Sequence, residues 1–378
     1  MLPYPELQTH PHLPRRTFFN AAEPLLSSFK VVKESKSVLG EPIRAYAKGT
    51  GPIRVLLWTQ MHGDESTSTF ALADWIYNQS QSSDDSIWKK ITLWVIPILN
   101  PDGANAYSRH NALGVDINRD ARHLCSPEGR FLVECADALN PHWAFNMHDQ
   151  RTLFGAGNTG KPATLALLAP SLPERFTGSV IHLKRAIALI GSAVLRMPED
   201  MQSETARFDD TFYPLAMGDF FQEREIATVL IETGGGRDII RHTGRMRTAL
   251  FLKHAFDVLL NPSECIWQSA PGTYEALPEN TSNLRDIIFK NAQIGDHKVD
   301  VAVQLRYNVV SKQWDMVCHD VGQLDYLHSY HLVDLSDVAP ISEHEWRVRI
   351  GKTFLLPKSW ERSIKEQNIS AYAWVNPK

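Results

Sequence analysis

Residues 56–70 read LLWTQMHGDESTSTF, and the interpretation of the whole chain turns on them. An apolar run, the pattern of a buried strand, stops at a histidine, a glycine and two acids, and small hydroxyl residues then lead into an amphipathic segment. Taken alone, His62 and Glu65, three residues apart, describe a solvated turn as readily as a binding site. Whether other segments supply partners decides between the two.

From about residue 53 to 260 the chain alternates strands and helices. IRVLLWTQ (53–60) and ITLWVIPIL (91–99) read as buried strands, and STFALADWIYNQ (68–79) as a helix with Phe70, Trp75 and Ile76 spaced for one face. Ser126 followed by Pro127 has the form of a helix start, and EGRFLVECADAL (128–139) carries that helix onward. WAFNM (143–147), ATLALLA (163–169) and IATVLIE (226–232) are further strands; a long helix over 181–197 and another from about 243 to 260 complete the series. Near-continuous apolar strands between helices imply an α/β fold, a mostly parallel mixed sheet flanked by helices. Past Leu260 the pattern changes. Residues 261–283 are rich in proline and turn formers, and short β-like runs follow at 286–294, 299–307, 314–319, 330–335 and 346–350. The expected organisation is therefore an α/β domain over 1–265 and a smaller, mostly β domain over 275–378.

Composition narrows the function. With 378 residues, 43% hydrophobic and 10% aromatic, the chain has material for a sizeable core. A net charge of −4 and a pI near 6.4 argue against a nucleic-acid binder, which needs a basic face. Cys125, Cys135, Cys265 and Cys318 lie far apart and read as reduced thiols, so a cytoplasmic location is expected. The first sixteen residues hold prolines and polar groups where a signal peptide needs an apolar core, and no later run approaches ~18 apolar residues; neither export nor a membrane partner is expected.

The chemistry gathers at strand ends. In an open α/β sheet, functional groups collect beyond the carboxyl ends of the strands. His62 and Glu65 follow one strand, NPDG (100–103) the next, His148 ends a third and Glu232 a fourth. Two histidines and a carboxylate form a common catalytic zinc set, and groups three apart at a helix start lie about 5–6 Å apart at Cβ, close enough to share an ion. His148 is the expected third ligand. Its rival His142 precedes the same strand and so falls at the wrong end of the sheet, while His110 and His123 lie in the intervening loop.

HGDE, NPDG, RHNALGVDINRD (109–120), FNMHDQ (145–150) and VLIETGG (229–235) occur in the order found in the M14 metallocarboxypeptidases, the carboxypeptidase A family, and the chain resembles that family over roughly residues 40–260. The resemblance implies one Zn2+ per chain held by His62, Glu65 and His148. It implies that Asp116 holds the first ligand histidine, that Arg109 polarises the scissile carbonyl, that Asn118 and Arg119 grip the substrate's terminal carboxylate, and that Glu232 is the catalytic base. Tyr213 is the one tyrosine in the region of the family's substrate-capping residue, at an imperfect spacing, and a plain packing role beside Pro214 is the competing reading. Asp219 or Met217 would set the side-chain pocket, basic-selective or apolar respectively; Arg151 and Arg207 offer an acid-selective alternative. The gap from Glu65 to His148 is short for the family, which implies smaller recognition loops and a small substrate.

The implied function is hydrolysis of the C-terminal peptide bond of a peptide or peptide-like amide with a free carboxylate. The alternatives are a zinc amidohydrolase that removes an acyl group from a small amino-acid derivative, as succinylglutamate desuccinylase and aspartoacylase relatives do, and an inactive binding protein on the same fold.

Overall fold

The computed structural model describes residues 11–82, 85–236, 238, 241–261 and 264–366, which form two compact units. The first comprises Met1–Gln150 and Ala163–Asn280, the second Arg151–Pro162 and Thr281–Lys378. This division differs from the expected domains in two respects. A short segment after the His148 strand leaves the first unit for the second, and the expected linker around 266–274 is helical instead, within Glu264–Glu275. A glycine of the long helix Ile181–Leu195 explains how Glu264–Glu275 packs: a Cβ on Gly191 would lie 1.9 Å from the carbonyl oxygen of Ala270, so the two backbones meet where neither carries a bulky side chain.

Numbered in chain order, the strands of the first unit are β1 (Lys30–Lys36), β2 (Pro42–Lys48), β3 (Ile53–Thr59), β4 (Ile91–Ile96), β5 (Trp143–Arg151), β7 (Leu165–Leu168), β8 (Thr205–Arg207) and β9 (Ala227–Gly234); β6 is Gly155–Ala156 and β10 Asn280–Thr281. Its helices are α1 (Arg15–Leu26), α2 (Thr67–Ser80), α3 (Ser86–Lys90), α4 (Pro101–Ala106), α5 (Pro127–Leu139), α6 (Ile181–Leu195), α7 (Glu199–Gln202), α8 (Met217–Glu223), α9 (His242–Leu260) and α10 (Glu264–Glu275). The eight strands form one mixed sheet in the order β1, β2, β4, β3, β5, β9, β7, β8. Its centre is parallel, with Val55 opposite both Leu93 and Trp143, while β1 and β2 extend it antiparallel.

Side chains alternate across the sheet, as pleating requires. Val55, Leu57, Phe145, Met147, Val229 and Ile231 face one core with residues of α2, α6 and α9. Leu56, Trp58 and Ala144 face the other, with α5 and with Met217 and Phe221 of α8. By the same alternation His148 and Glu232 share the α5/α8 side, at the carboxyl ends of their strands. Among the described residues no helix is long and apolar enough to cross a membrane.

The second unit has a four-stranded sheet ordered β13 (Gln313–Gly322), β12 (His297–Asn308), β11 (Leu284–Ile294), β14 (His328–Asp334). It is antiparallel except for the β11–β14 pair. The strands expected at 286–294, 299–307, 314–319 and 330–335 are present; the one at 346–350 is not. Trp346 instead joins an aromatic cluster, its ring centroid 6.0 Å from that of Trp360 on α11 (Lys358–Glu366) and 6.3 Å from that of Phe354.

The turn after β3 and the helix α4 after the neighbouring strand β4 meet backbone to backbone: a Cβ on Gly63 would lie 1.9 Å from the carbonyl carbon of Gly103. No rotamer relieves a backbone collision. Gly63→Ala is therefore expected to lower unfolding stability by at least about 3 kcal/mol, read from urea denaturation; a change under about 1 kcal/mol would show that the turn and α4 do not pack this way.

Candidate metal centre

The end of β3 is shaped to present His62. Gln60 adopts a left-handed backbone (φ 49°), and its side-chain amide donates to the Gly63 carbonyl at 2.9 Å, so the chain turns sharply at the strand exit. The turn closes with the Glu65 N–H on the His62 carbonyl at 3.1 Å, and α2 begins two residues later. The NPDG segment supports this turn. Asn100 Oδ1 accepts from the Gly103 N–H at 2.8 Å, capping α4, while its Nδ2 donates to the Met61 carbonyl at 3.2 Å. The sequence pattern counts Asn100 among the polar groups offered at the sheet edge, but these bonds to neighbouring backbone occupy it.

His62, Glu65 and His148 converge. The two Nδ1 atoms stand 3.2 Å apart, Glu65 Oε1 is 2.8 Å from His62 Nδ1, and Oε2 is 2.9 Å from His148 Nδ1. Both histidines are buried. Among the described residues this is the one group of three such side chains placed to hold an ion. Two facing ring nitrogens can share only one proton. Their affinities separate accordingly: burial opposes charge on His62, but the Glu65 charge and the hydrogen bond to Asp116 raise it to about 9, whereas burial drives His148 down. Burial also opposes charge on Glu65, yet the two histidines hold it well below the usual carboxylate range. Two nitrogens and a carboxylate aimed at one point are a dication's donor set, and a tetrahedral zinc with bonds of about 2.0–2.1 Å needs its nitrogens roughly 3.3–3.4 Å apart. The residues fit the ion.

Asp116 does three things. Its Oδ1 lies 3.1 Å from His62 Nε2 and accepts from the Asn118 N–H at 2.9 Å; its Oδ2 accepts from Arg109 Nε at 3.0 Å. Burial pushes its pKa up, but the bond and charge of His62, with Arg109, outweigh that and hold it far down. Arg109 also reaches Glu65 Oε1 at 3.5 Å and keeps 38% of its side chain exposed. Glu232, partly buried two residues before the end of β9, is pushed well above the usual range by burial and then by the charge of Glu65.

Asn118 and Arg119 occupy the short 3-10 turn (Ile117–Arg119) that Asp116 caps. Asn118 Oδ1 accepts from the Met217 N–H at 3.0 Å, which ties this turn to the start of α8. Arg119 is exposed, and its guanidinium carbon lies 4.5 Å from the centre of the Tyr213 ring. Tyr213, 45% exposed, thus stands beside Arg119 rather than in the core. Asp219 is buried, accepts from the Tyr213 N–H at 3.1 Å, and is raised by burial to about 6. Met217 is fully buried in the α5/α8 core. Arg207 stacks at 6.0 Å on Tyr274, and Arg151 lies in the second unit. His142 sits at the start of β5, its Nδ1 accepting from the Arg54 N–H at 3.1 Å, and His110 and His123 are exposed.

Three residues escaped the sequence reading. Asp149 and Arg241 are buried next to the ligands and are treated below. Asn146, two residues before His148 on the same side of β5, is fully buried, and among the described residues neither of its amide atoms has a hydrogen-bond partner. Gly218 faces it: a Cβ there would lie 3.4 Å from Asn146 Nδ2. An asparagine between alanine, phenylalanine and methionine reads as one polar interruption of an apolar strand, which carries no signal of this kind.

Residues 27–155 match the family model described as zinc carboxypeptidase. "Probable carboxypeptidase 2" of Trichophyton verrucosum is 32% identical over 348 residues, 86% of this chain; the chain spans 63% of that protein's length. "Carboxypeptidase 2" of Trichophyton rubrum is 31% identical over 114 residues, 29% of this chain and 20% of that protein. Among solved structures, a metallo-carboxypeptidase from Burkholderia cenocepacia superposes with a TM-score of 0.53 at 16% identity, covering 65% of this chain and 68% of that one. A metallo-carboxypeptidase from Pseudomonas aeruginosa, in complex with (2-guanidinoethylmercapto)succinic acid, gives 0.53 at 15% identity, covering 65% and 68%. The fold is that of the carboxypeptidases, and the resemblance to the M14 family read from the motifs holds.

Two outcomes follow from the geometry. His148→Ala removes one of three donors and is expected to lose zinc on dialysis that leaves the parent loaded; full retention, measured by elemental analysis, would contradict the ligand set. Asp219 titrates at about 6 when folded, above its ordinary 3.8, so its ionisation costs stability increasingly as pH rises between those values. Asp219→Asn should match the parent near pH 4 and exceed it by about 1–3 kcal/mol at pH 7.5. An equal difference at both pH values would rule out this burial effect.

Proposed function

We propose that this relative of the zinc carboxypeptidases is itself a zinc-dependent carboxypeptidase, releasing the C-terminal residue of peptides or peptide-like amides that end in a free carboxylate. The observation that supports an exopeptidase best is the double use of one oxygen. Asp116 Oδ1 holds His62 at 3.1 Å and caps at 2.9 Å the turn that carries Asn118 and Arg119. The residues suited to a carboxylate are thereby registered against the residues suited to the ion.

His62, Glu65 and His148 would hold one zinc per chain, and when bound it supplies Lewis acidity and lowers the pKa of a water to about 7. The chain's own groups do the rest. Arg119 offers a planar fork for the substrate carboxylate, and the Asn118 amide, its oxygen occupied by the Met217 N–H, has its Nδ2 hydrogens to add. Tyr213, stacked on Arg119, limits where that fork can swing. Arg109 is steadied by Asp116, with a half-exposed guanidinium to stabilise negative charge on the carbonyl oxygen. Glu232 accepts a proton from the attacking water and delivers it to the departing amine, the two duties of a general acid–base group.

Glu232→Gln keeps the shape and removes the proton acceptor; kcat should fall by about a hundredfold or more while bound zinc is unchanged. Turnover near the parent's would exclude Glu232 from proton transfer.

The substrate class is tested with peptides bearing free or amidated C-termini, together with N-acyl amino acids, on the parent and Arg119→Ala. Release of one C-terminal residue from free peptides only, with that advantage lost in the variant, is the expected outcome. Cleavage confined to N-acyl amino acids would replace this reading with an acyl-removing amidohydrolase, and inertness toward every substrate despite bound zinc would mark a binding protein.

A further inference from the structure

We propose that Asp149, backed by Arg241, is a positioning residue that fixes the spacing between the two ligand-bearing segments of the metal centre; the inference rests on the zinc reading above. The ligands come from places far apart in sequence, the turn after β3 and the end of β5, and something must hold those segments at one separation. Asp149 touches both. Its main-chain N–H donates to Glu65 Oε2 at 3.2 Å. Its side chain reaches the first turn of α2, where Oδ2 accepts from the Thr67 N–H at 2.6 Å and Oδ1 from the Ser68 N–H at 2.9 Å. Glu65 lies two residues before Thr67, so the contacts close a ring through both segments. Displacing β5 along its axis would break three hydrogen bonds as well as His148's approach to the ion site.

The chemistry suits a fixed clamp. The first N–H groups of a helix have no intrahelical acceptor, and a carboxylate there gains from both the bonds and the helix dipole. Asp149 is buried and takes two of these donors with its two oxygens. Ser66 at the N-cap position makes no side-chain cap bond; its hydroxyl donates to the Pro11 carbonyl, which leaves the capping duty to Asp149. Arg241 compensates the charge. It is buried, holds a left-handed backbone (φ 57°) just before α9, and places Nη1 3.5 Å from Asp149 Oδ2 and 3.4 Å from Thr67 Oγ1. Since α9 follows β9, which carries Glu232, Arg241 ties the Glu232-bearing segment to the same clamp.

A neighbouring ion pair separates positioning from general stability. Arg245, four residues on in α9, binds Asp74 of α2 through two bonds of 2.5 and 2.9 Å, in the body of that helix rather than in the first turn that Asp149 caps. The experiment measures zinc affinity by chelator competition, and the visible spectrum of the cobalt-substituted protein, in the parent, Asp149→Asn, Arg241→Gln and Asp74→Asn. Asp149→Asn should weaken zinc binding by about tenfold to a hundredfold and alter the cobalt bands, because one of the two oxygens that each accept a helix N–H becomes an NH2 donor. Arg241→Gln should weaken binding in the same direction by less. Asp74→Asn should lower thermal stability and leave both metal readouts at parent values. Unchanged affinity and spectrum in Asp149→Asn would overturn the proposal, as would equal losses in Asp74→Asn. If Asp149→Asn does not fold, unchanged metal readouts in Arg241→Gln overturn it instead. A parent that takes up no zinc would sink the metal reading and the clamp with it, whereas a parent that binds zinc without cleaving peptides leaves the clamp standing on the affinity data.

Discussion

Burying two imidazoles and a carboxylate at one point is unfavourable unless a counter-charge meets them and every remaining polar atom is bonded. Much of the first unit answers that constraint. The facing nitrogens of His62 and His148, 3.2 Å apart, leave room for an ion and no room for two protons. Asp116 occupies the far nitrogen of His62, the Asp149 amide occupies one oxygen of Glu65, and Arg109 approaches the other. Each of these groups is itself pinned: Asp116 as the cap of a 3-10 turn, Asp149 as the cap of α2, Arg109 on Asp116. The groups that brace His62 and Glu65 are therefore themselves anchored at the ends of regular elements, which move less than side chains on loops, while among the described residues the far nitrogen of His148 has no partner.

The same arrangement connects binding to chemistry. Asp116 lies between His62 and the turn bearing Arg119, so a shift in His62 would be felt in that turn. Arg241 lies between the ligand strand and the helix that follows Glu232. These are contiguous hydrogen-bonded paths within one unit, and they join the candidate ion site to the segment that follows Glu232 and to the Asn118–Arg119 turn.

What could be read from the sequence was whatever depends on local pattern. His62, Glu65, His148 and Glu232 announce themselves because each is a polar residue ending an apolar strand, and parallel strands bring such ends to one edge. Ser126 and Pro127 mark a helix start through chemistry confined to four residues, and the Ser126 hydroxyl indeed accepts from the Gly129 N–H at 3.0 Å. The misses are long-range. KVVKESK (30–36) lacks alternation because β1 is an edge strand with an exposed outer face, so it was not read as a strand. Pro271 argued against a helix, but tertiary packing at Ala270 against Gly191 outweighs that propensity. Asp149 reads as a solvated acid after a strand; its partners lie 81 and 82 residues away, and no periodicity reports a contact of that separation.

The central claim is that His62 Nδ1, His148 Nδ1 and Glu65 share one zinc ion. Anomalous diffraction from crystals grown with zinc, recorded on both sides of the zinc absorption edge, tests it most directly. The account predicts a single strong anomalous peak per chain, about 2.0–2.2 Å from both Nδ1 atoms and the nearest Glu65 oxygen. A peak bonded to other residues, or none at this position in crystals whose protein retains zinc by elemental analysis, would contradict it.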